Sequence, residues 1–221
     1  TGNSWFTGTE KKLIEKGLKV VEQQMTGAVA RQTNRRRVYQ YIYDTVEPVS
    51  GEEISKALSL DMSTVSDSLA ELVREGLAVC SGEGAYILEP QARIAVGITI
   101  QSGEIRLLAV DMRAKEMGYR ETALPFSHTA GYYKKLSQCL EEFLDDFCLE
   151  RNKLLGVGIT LPGIIDQTAN KLVMAPTLEL WDVPLEEVYR YFSRYPVFIE
   201  NDANASGYAE QWIEKRPSTM V

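Results

Sequence analysis

Residues 50–76, SGEEISKALSLDMSTVSDSLAELVREG, hold two helical patterns separated by a very short break. Ser50 stands where a hydroxyl accepts from the backbone three residues on, and Glu53 stands where a carboxylate reaches back. That pair is a capping box opening a helix over "GEEISKAL". After the turn "SLDM", Asp61 or Ser63 starts a second helix, "STVSDSLAELVREG", with Val65, Leu69, Leu72 and Val73 turned inward and Gly76 as its stop. Two helices joined by so tight a turn are a helix-turn-helix candidate, with the second in the recognition position.

The flanks complete the unit. A preceding helix from about Arg35 to Val46 buries Val38, Ile42 and Tyr41 and ends before Pro48. Behind the pair, "LAVC", the turn "SGEG" and "AYIL" give two short strands, a wing. Residues 34–90 therefore read as a winged helix. Upstream, Ile14, Leu18, Val21, Met25 and Ala28 trace one apolar seam of an amphipathic helix within an arm over residues 1–33. The seam packs on its own chain or forms a coiled-coil-like contact between two subunits.

Charge restricts how such a unit meets DNA. The 221-residue chain carries a net charge of −7. Residues 1–90 hold 10 Lys and Arg against 13 Asp and Glu, so any DNA contact rests on local patches. The outward positions of the recognition helix are Ser63, Thr64, Asp67, Ser68 and Glu71, with Ser66 beside them. Hydroxyls bond to phosphates or base edges, whereas an aspartate accepts only from an amino group and is repelled by phosphate. Arg31, Arg35, Arg36 and Arg37 form a basic knot placed to clamp backbone phosphates.

Residues 91–221 alternate strands and helices. "ARIAVGITI", "EIRLLAVD" and "YRETALPF" form an antiparallel run, followed by a long helix over about Gly131 to Glu150. Then come a strand "LLGVGITLPG", a helix "PLEEVYRYFSRY" with Pro184 in its first turn, a strand "PVFIE" and a helix "ANASGYAEQWIEK". The order βββαβαβα implies an α/β domain with ligands at the carboxyl ends of its strands, where "LPG" and "END" lie. Asp202 there is a hydroxyl acceptor, a general base or, like Asn201, only a helix cap. Cys80, Cys139 and Cys148 lack CxxC spacing and read as small buried hydrophobes. With 44% hydrophobic and 25% charged residues, no apolar run of spanning length and no signal-peptide plan, a cytoplasmic protein without a membrane partner is expected.

Taken together, "ISKALSLDMSTVSDSLAELVREGL", "YILEP", "AVGITI", "GVGITLPGIID", "APTLELWDVPL" and "VFIENDANASGYAEQW" resemble the ROK family of sugar-responsive repressors and sugar kinases over about residues 34 to 215. The resemblance implies a winged-helix domain joined to the first lobe of an actin-like, ribonuclease-H-like sugar-binding domain, with the second lobe beyond Val221. In the family's kinases the acid matching Asp202 is the base for the sugar hydroxyl, and the residues matching Asn201, Pro162 and Gly163 lie near the sugar.

The departures favour a sensor over a kinase. Thr99 and Gln101 stand where the kinases' phosphate loop carries an aspartate and its first glycine. The family's histidine-and-cysteine zinc loop is missing, with His128 expected at the surface, and Thr177 replaces a common asparagine. The expectation is a non-enzymatic, dimeric regulator that binds operator DNA through Arg35, Arg36, Arg37, Ser63, Thr64, Ser66 and Asp67. Pro162, Gly163, Asn201 and Asp202 would hold a sugar or sugar derivative, and no cofactor or metal is implied. The alternatives are a sugar kinase with an appended DNA-binding domain, in which Asp202 is catalytic, and a decayed protein-interaction module.

Overall fold

The computed structural model of the protein describes residues 27–82 and 84–214. The seam residues Ile14, Leu18, Val21 and Met25 lie outside them. The described chain divides between Glu89 and Pro90 into two compact units.

The first unit begins with helix α1 (residues 27–44), which buries Val38 and Ile42 completely and Tyr41 partly. Strand β1 (Val49–Ser50) leads directly into helix α2 (Gly51–Leu58). Both halves of the capping box are present, since Ser50 accepts from the Glu53 amide and the Glu53 carboxylate accepts from the Ser50 amide at 2.7 Å. Ser59, in the left-handed region at φ 51°, stops α2. Its turn is locked by the Ser55 hydroxyl donating to the Leu60 carbonyl at 2.6 Å. Helix α3 (Met62–Arg74) follows, with Asp61 as its cap.

Strands β2 (Ala78–Cys80) and β3 (Ala85–Leu88) form the expected ribbon. They are joined by β1, which the sequence did not disclose, in the order β1-β3-β2. A two-residue strand has no period to read. Two side chains also depart from expectation. Val73, expected inside, is 40% exposed, while Ser68, expected outside, is buried and donates to the Thr64 carbonyl at 2.7 Å. That back-bond to the preceding turn lets a hydroxyl face inward without losing a partner.

The second unit is mixed α/β. Strands β4 (Ile94–Ile100), β5 (Glu104–Asp111), β6 (Glu116–Ala123), β7 (Leu154–Leu161) and β11 (Val197–Asn201) form a sheet in the order β11-β7-β4-β5-β6. The β4, β5 and β6 pairs are antiparallel, and β7 runs parallel to both β4 and β11. Helix α4 (Ala130–Asp146), capped by Thr129, packs Leu136, Leu140, Phe143 and Leu144 into one core with Val96, Ile98, Ile105, Leu107, Val157, Ile159 and Ile199. Each large side chain so buried contributes about 1.5–3 kcal/mol.

The order βββαβαβα needs correction between Ile164 and Tyr195. Strands β8 (Ile164–Asp166), β9 (Lys171–Ala175) and β10 (Leu180–Pro184) form a separate antiparallel sheet. An Asx turn makes the first reversal, with the Asp166 carboxylate accepting from the Thr168 and Ala169 amides at 2.9 Å each. Pro184 therefore ends a strand instead of opening a helix. Helix α5 (Glu186–Tyr189) has only four residues. The chain continues in three-residue turns, Tyr191 to Val188, Phe192 to Tyr189 and Tyr195 to Phe192. Those turns still bury Leu185, Val188 and Phe192, and this imitates an amphipathic helix in the sequence. Helix α6 (Asp202–Glu214) closes the unit.

Of the cysteines only Cys139 is buried, and Cys80 and Cys148 are exposed. Cys148 sits at φ 53° where the chain leaves α4, a position set by the turn and not by packing. Among the described residues no helix is long and apolar enough to cross a membrane.

Candidate functional site

The parallel register places Asn201 beside Leu161, and Glu200 beside Thr160, which also neighbours Thr99. The carboxyl ends of three strands thus meet at one edge, together with the Pro162-Gly163 loop. Gly163 has φ 141°, and a Cβ there would lie 2.5 Å from the Met174 carbonyl oxygen and 2.9 Å from the Ala175 Cβ. Only glycine fits this crossing between β7 and β8.

Asn201 does two jobs. Its side-chain amide donates to the Gly163 carbonyl at 2.5 Å, and its Oδ1 accepts from the Ala203 and Asn204 amides at 2.9 and 3.0 Å. It is the cap of α6, which settles the choice between Asn201 and Asp202 for that role. Among the described residues the Asp202 carboxylate accepts only from its neighbour's amide, Ala203 to Oδ1 at 2.9 Å, and Asp202 is exposed. Of the four residues expected around a sugar, Asp202 alone offers an open carboxylate; Asn201 and Gly163 hold each other, and Pro162 is half-buried beside them.

A second carboxylate lies beneath, unanticipated from the sequence. Glu200 is buried, and its Oε1 accepts from the Asn201 amide at 2.8 Å and from the Asn204 side chain at 3.2 Å. Its Oε2 accepts from Gln167, which also donates to the Ile199 carbonyl at 2.8 Å. The alternation of β11 was the available signal: Ile199 faces α4, so Glu200 must lie on the opposite face in the row of Thr160. Farther along that row the Thr160 hydroxyl donates to the Thr99 hydroxyl at 3.1 Å. Two neutral hydroxyls thus stand at this point of the row. Gln101 is committed to the β4–β5 turn through its amide, which donates to the Glu104 carbonyl.

His128 lies at the surface, as expected, and its ring has partners on both sides. Its Nδ1 lies 3.0 Å from the Tyr133 hydroxyl and its Nε2 3.3 Å from Glu187. Tyr133 is buried, and desolvation, with Glu187 and Tyr191 beside it, pushes its phenol up to about 12.

In the first unit the basic knot separates into unequal parts. Arg35 forms an ion pair with Glu75, the residue that ends α3, and a second with Glu71 on α3 at 3.5 Å. Arg37 donates to the Leu58 carbonyl at 2.7 Å, holding the end of α2. Arg31 and Arg36 are exposed and form no hydrogen bond or ion pair among the described residues. No local pattern announces the Arg35 pairing, because its partners are 36 and 40 residues away. On α3, Ser63, Ser66 and Asp67 are exposed and Thr64 is half-buried.

The model of the ROK family matches residues 95–220. The chain belongs to the ROK family. Along this ROK chain, the xylose repressor of Caldicellulosiruptor bescii is 28% identical over 197 residues, covering 83% of this chain and 48% of the relative. The DNA-binding transcriptional dual regulator NagC of Escherichia coli K12 is 21% identical over 194 residues, covering 84% and 48%. The crystal structure of a ROK family transcriptional regulator, a homologue of the E. coli MLC protein, superposes with a TM-score of 0.63 at 20% identity, over 83% of this chain and 48% of that one. The chain spans about half the length of the curated relatives it matches.

Proposed function

We propose that this chain is the DNA-reading and sugar-holding part of a transcriptional repressor that responds to a sugar. The carrying observation is the pairing of two features in one ROK chain. A helix-turn-helix with a three-stranded wing occupies the first unit. A strand-end site in the second keeps an open carboxylate on Asp202 but has Thr99 and Gln101 where a phosphate loop needs an acid and a glycine. The first unit is a winged helix, and the second is the first lobe of an actin-like domain. Relatives named xylose repressor and NagC, matched across both units, support the same reading.

In this function Asp202 accepts a hydrogen bond from a sugar hydroxyl and fixes it. A carboxylate with no phosphoryl donor opposite it has no proton transfer to drive, so the site binds without catalysing. Asn201 and Gly163 set the edge on which the sugar rests, and Glu200 anchors the residues behind them. Arg31 and Arg36 supply phosphate contacts, and α3 supplies base contacts. A homodimer in the cytoplasm would meet a two-fold operator, one winged helix per half-site. The sugar must bind the DNA-competent and DNA-incompetent forms unequally in order to switch anything.

The test is a mobility-shift assay on a duplex enriched from a randomised library by the protein itself. D-xylose is the first sugar to titrate, and N-acetylglucosamine the second. Binding of the duplex and its release by one of them supports the function. Failure of any duplex to enrich removes the regulator reading.

A further inference from the structure

The outward face of α3 is short of hydrogen-bond donors, and the reason lies in Asp61. Its carboxylate accepts from the Ser63 hydroxyl at 2.6 Å, the Thr64 amide at 2.8 Å and the Thr64 hydroxyl at 2.7 Å. These bonds, that from Ser63 foremost, hold the Asp61 carboxyl well below the usual carboxylate range. A hydroxyl has one proton to give. Ser63 and Thr64 spend theirs on Asp61 and present only lone pairs outward. Ser68 spends its proton on the Thr64 carbonyl and is buried.

Asp67 lies one turn further along. It is exposed and makes no hydrogen bond or ion pair among the described residues. Among side chains, the N-terminal half of α3 therefore shows acceptors at Ser63, Thr64 and Asp67 and a free donor only at Ser66. Such a surface is mismatched to guanine, whose major-groove edge carries two acceptors, O6 and N7. It matches an edge that donates. Cytosine offers its N4 amine with one acceptor beside it, the O6 of the paired guanine, while the N6 amine of adenine sits between two, its own N7 and the O4 of the paired thymine, which repel a carboxylate from both sides.

We infer that Asp67 is a specificity-determining residue that reads a cytosine in the major groove, its carboxylate accepting from the N4 amine. The inference rests on the DNA-reading function proposed above and adds the base class to it. Asp67 also repels phosphates, so it weakens binding to every duplex while sharpening the choice among them. Affinity and selectivity respond in opposite directions when it is removed.

The experiment enriches a randomised duplex library with the wild-type protein, Asp67→Ala and Asp67→Asn. Asparagine is isosteric and bonds bidentately to adenine N6 and N7. The wild-type motif is expected to contain a cytosine that becomes adenine, at that position alone, in Asp67→Asn. In Asp67→Ala the preference at that position falls by on the order of ten-fold, and binding to an unrelated duplex at low salt tightens. A wild-type motif retained unchanged by both variants overturns the role of Asp67 and leaves the DNA-reading function standing. Failure of the wild-type protein to enrich any motif overturns both.

Discussion

Asn201 donates its side-chain amide to the Gly163 carbonyl at 2.5 Å while its Oδ1 caps α6. One side chain thereby fixes one loop and a helix at the sheet edge, and the carboxylate of the neighbouring Asp202 stays exposed. Residues adjacent in sequence, and indistinguishable there as cap or ligand, have separate tasks in the fold.

Asn201→Ala removes a cap and leaves the Gly163 carbonyl without its partner. A cap loss costs about 1 kcal/mol, and an orphaned polar group adds about 1 kcal/mol or more. Chemical denaturation should show a loss of about 2 kcal/mol. Asp202→Ala removes only a one-residue contact and should leave the denaturation midpoint within error of wild type. Equal midpoints for the two variants would contradict the division of tasks.

Gly163→Ala places a methyl group 2.5 Å from the Met174 carbonyl oxygen at a φ of 141°. Backbone strain and overpacking together cost about 3 kcal/mol. The expected outcome is a clear drop in thermal midpoint, with sugar binding weakened even in the fraction that stays folded. A midpoint unchanged from wild type would show that β7 and β8 part easily.

Arg36 and Arg35 should behave differently despite being neighbours. Arg36→Ala is expected to weaken binding of all duplexes, lowering the slope of log affinity against log salt by about one unit, with stability unchanged. Arg35→Ala breaks the ties from α1 to Glu71 on α3 and to Glu75 at its end, so it should lower thermal stability in addition. An unchanged salt slope in Arg36→Ala would place that side chain away from phosphate.

Raising pH tests the aromatic packing of the second unit. Burial keeps the Tyr133 phenol protonated up to about 12, against an ordinary value near 10. Between these values the folded protein binds more protons than the unfolded chain, so stability is full below about pH 10 and falls as pH rises through the window to about 12. Tyr133→Phe, which cannot ionise, should flatten that part of the stability profile measured by denaturant titration. An identical alkaline slope in the variant would contradict the burial.

The helix-turn-helix was legible in the sequence because its signals are local: a capping box at Ser50 and Glu53, an Asp61 cap and Gly76 at the stop. The five strands of the main sheet and α4 were legible by period. The sheet of β8, β9 and β10 was missed because "APTLELWDVPL" mixes strand alternation with prolines, and the helix expected after it was overlong because turns every three residues around Leu185, Val188 and Phe192 copy helical spacing. At the strand-end site, Asp202 was visible as an acid at a strand's end. The contact of Glu200 with Gln167, and the neutralising of Arg35 by Glu71 and Glu75, depend on residues brought together across tens of positions. No local spacing encodes such partnerships.

The central claim is that the strand-end site holds a sugar through Asp202. Calorimetric titration of the sugar that releases DNA, into the wild-type protein and into Asp202→Ala, tests it most directly. The account predicts saturable binding to the wild type and at least a roughly ten-fold weaker constant in the variant, the loss of one charged hydrogen bond. Equal binding constants for the two proteins would contradict it.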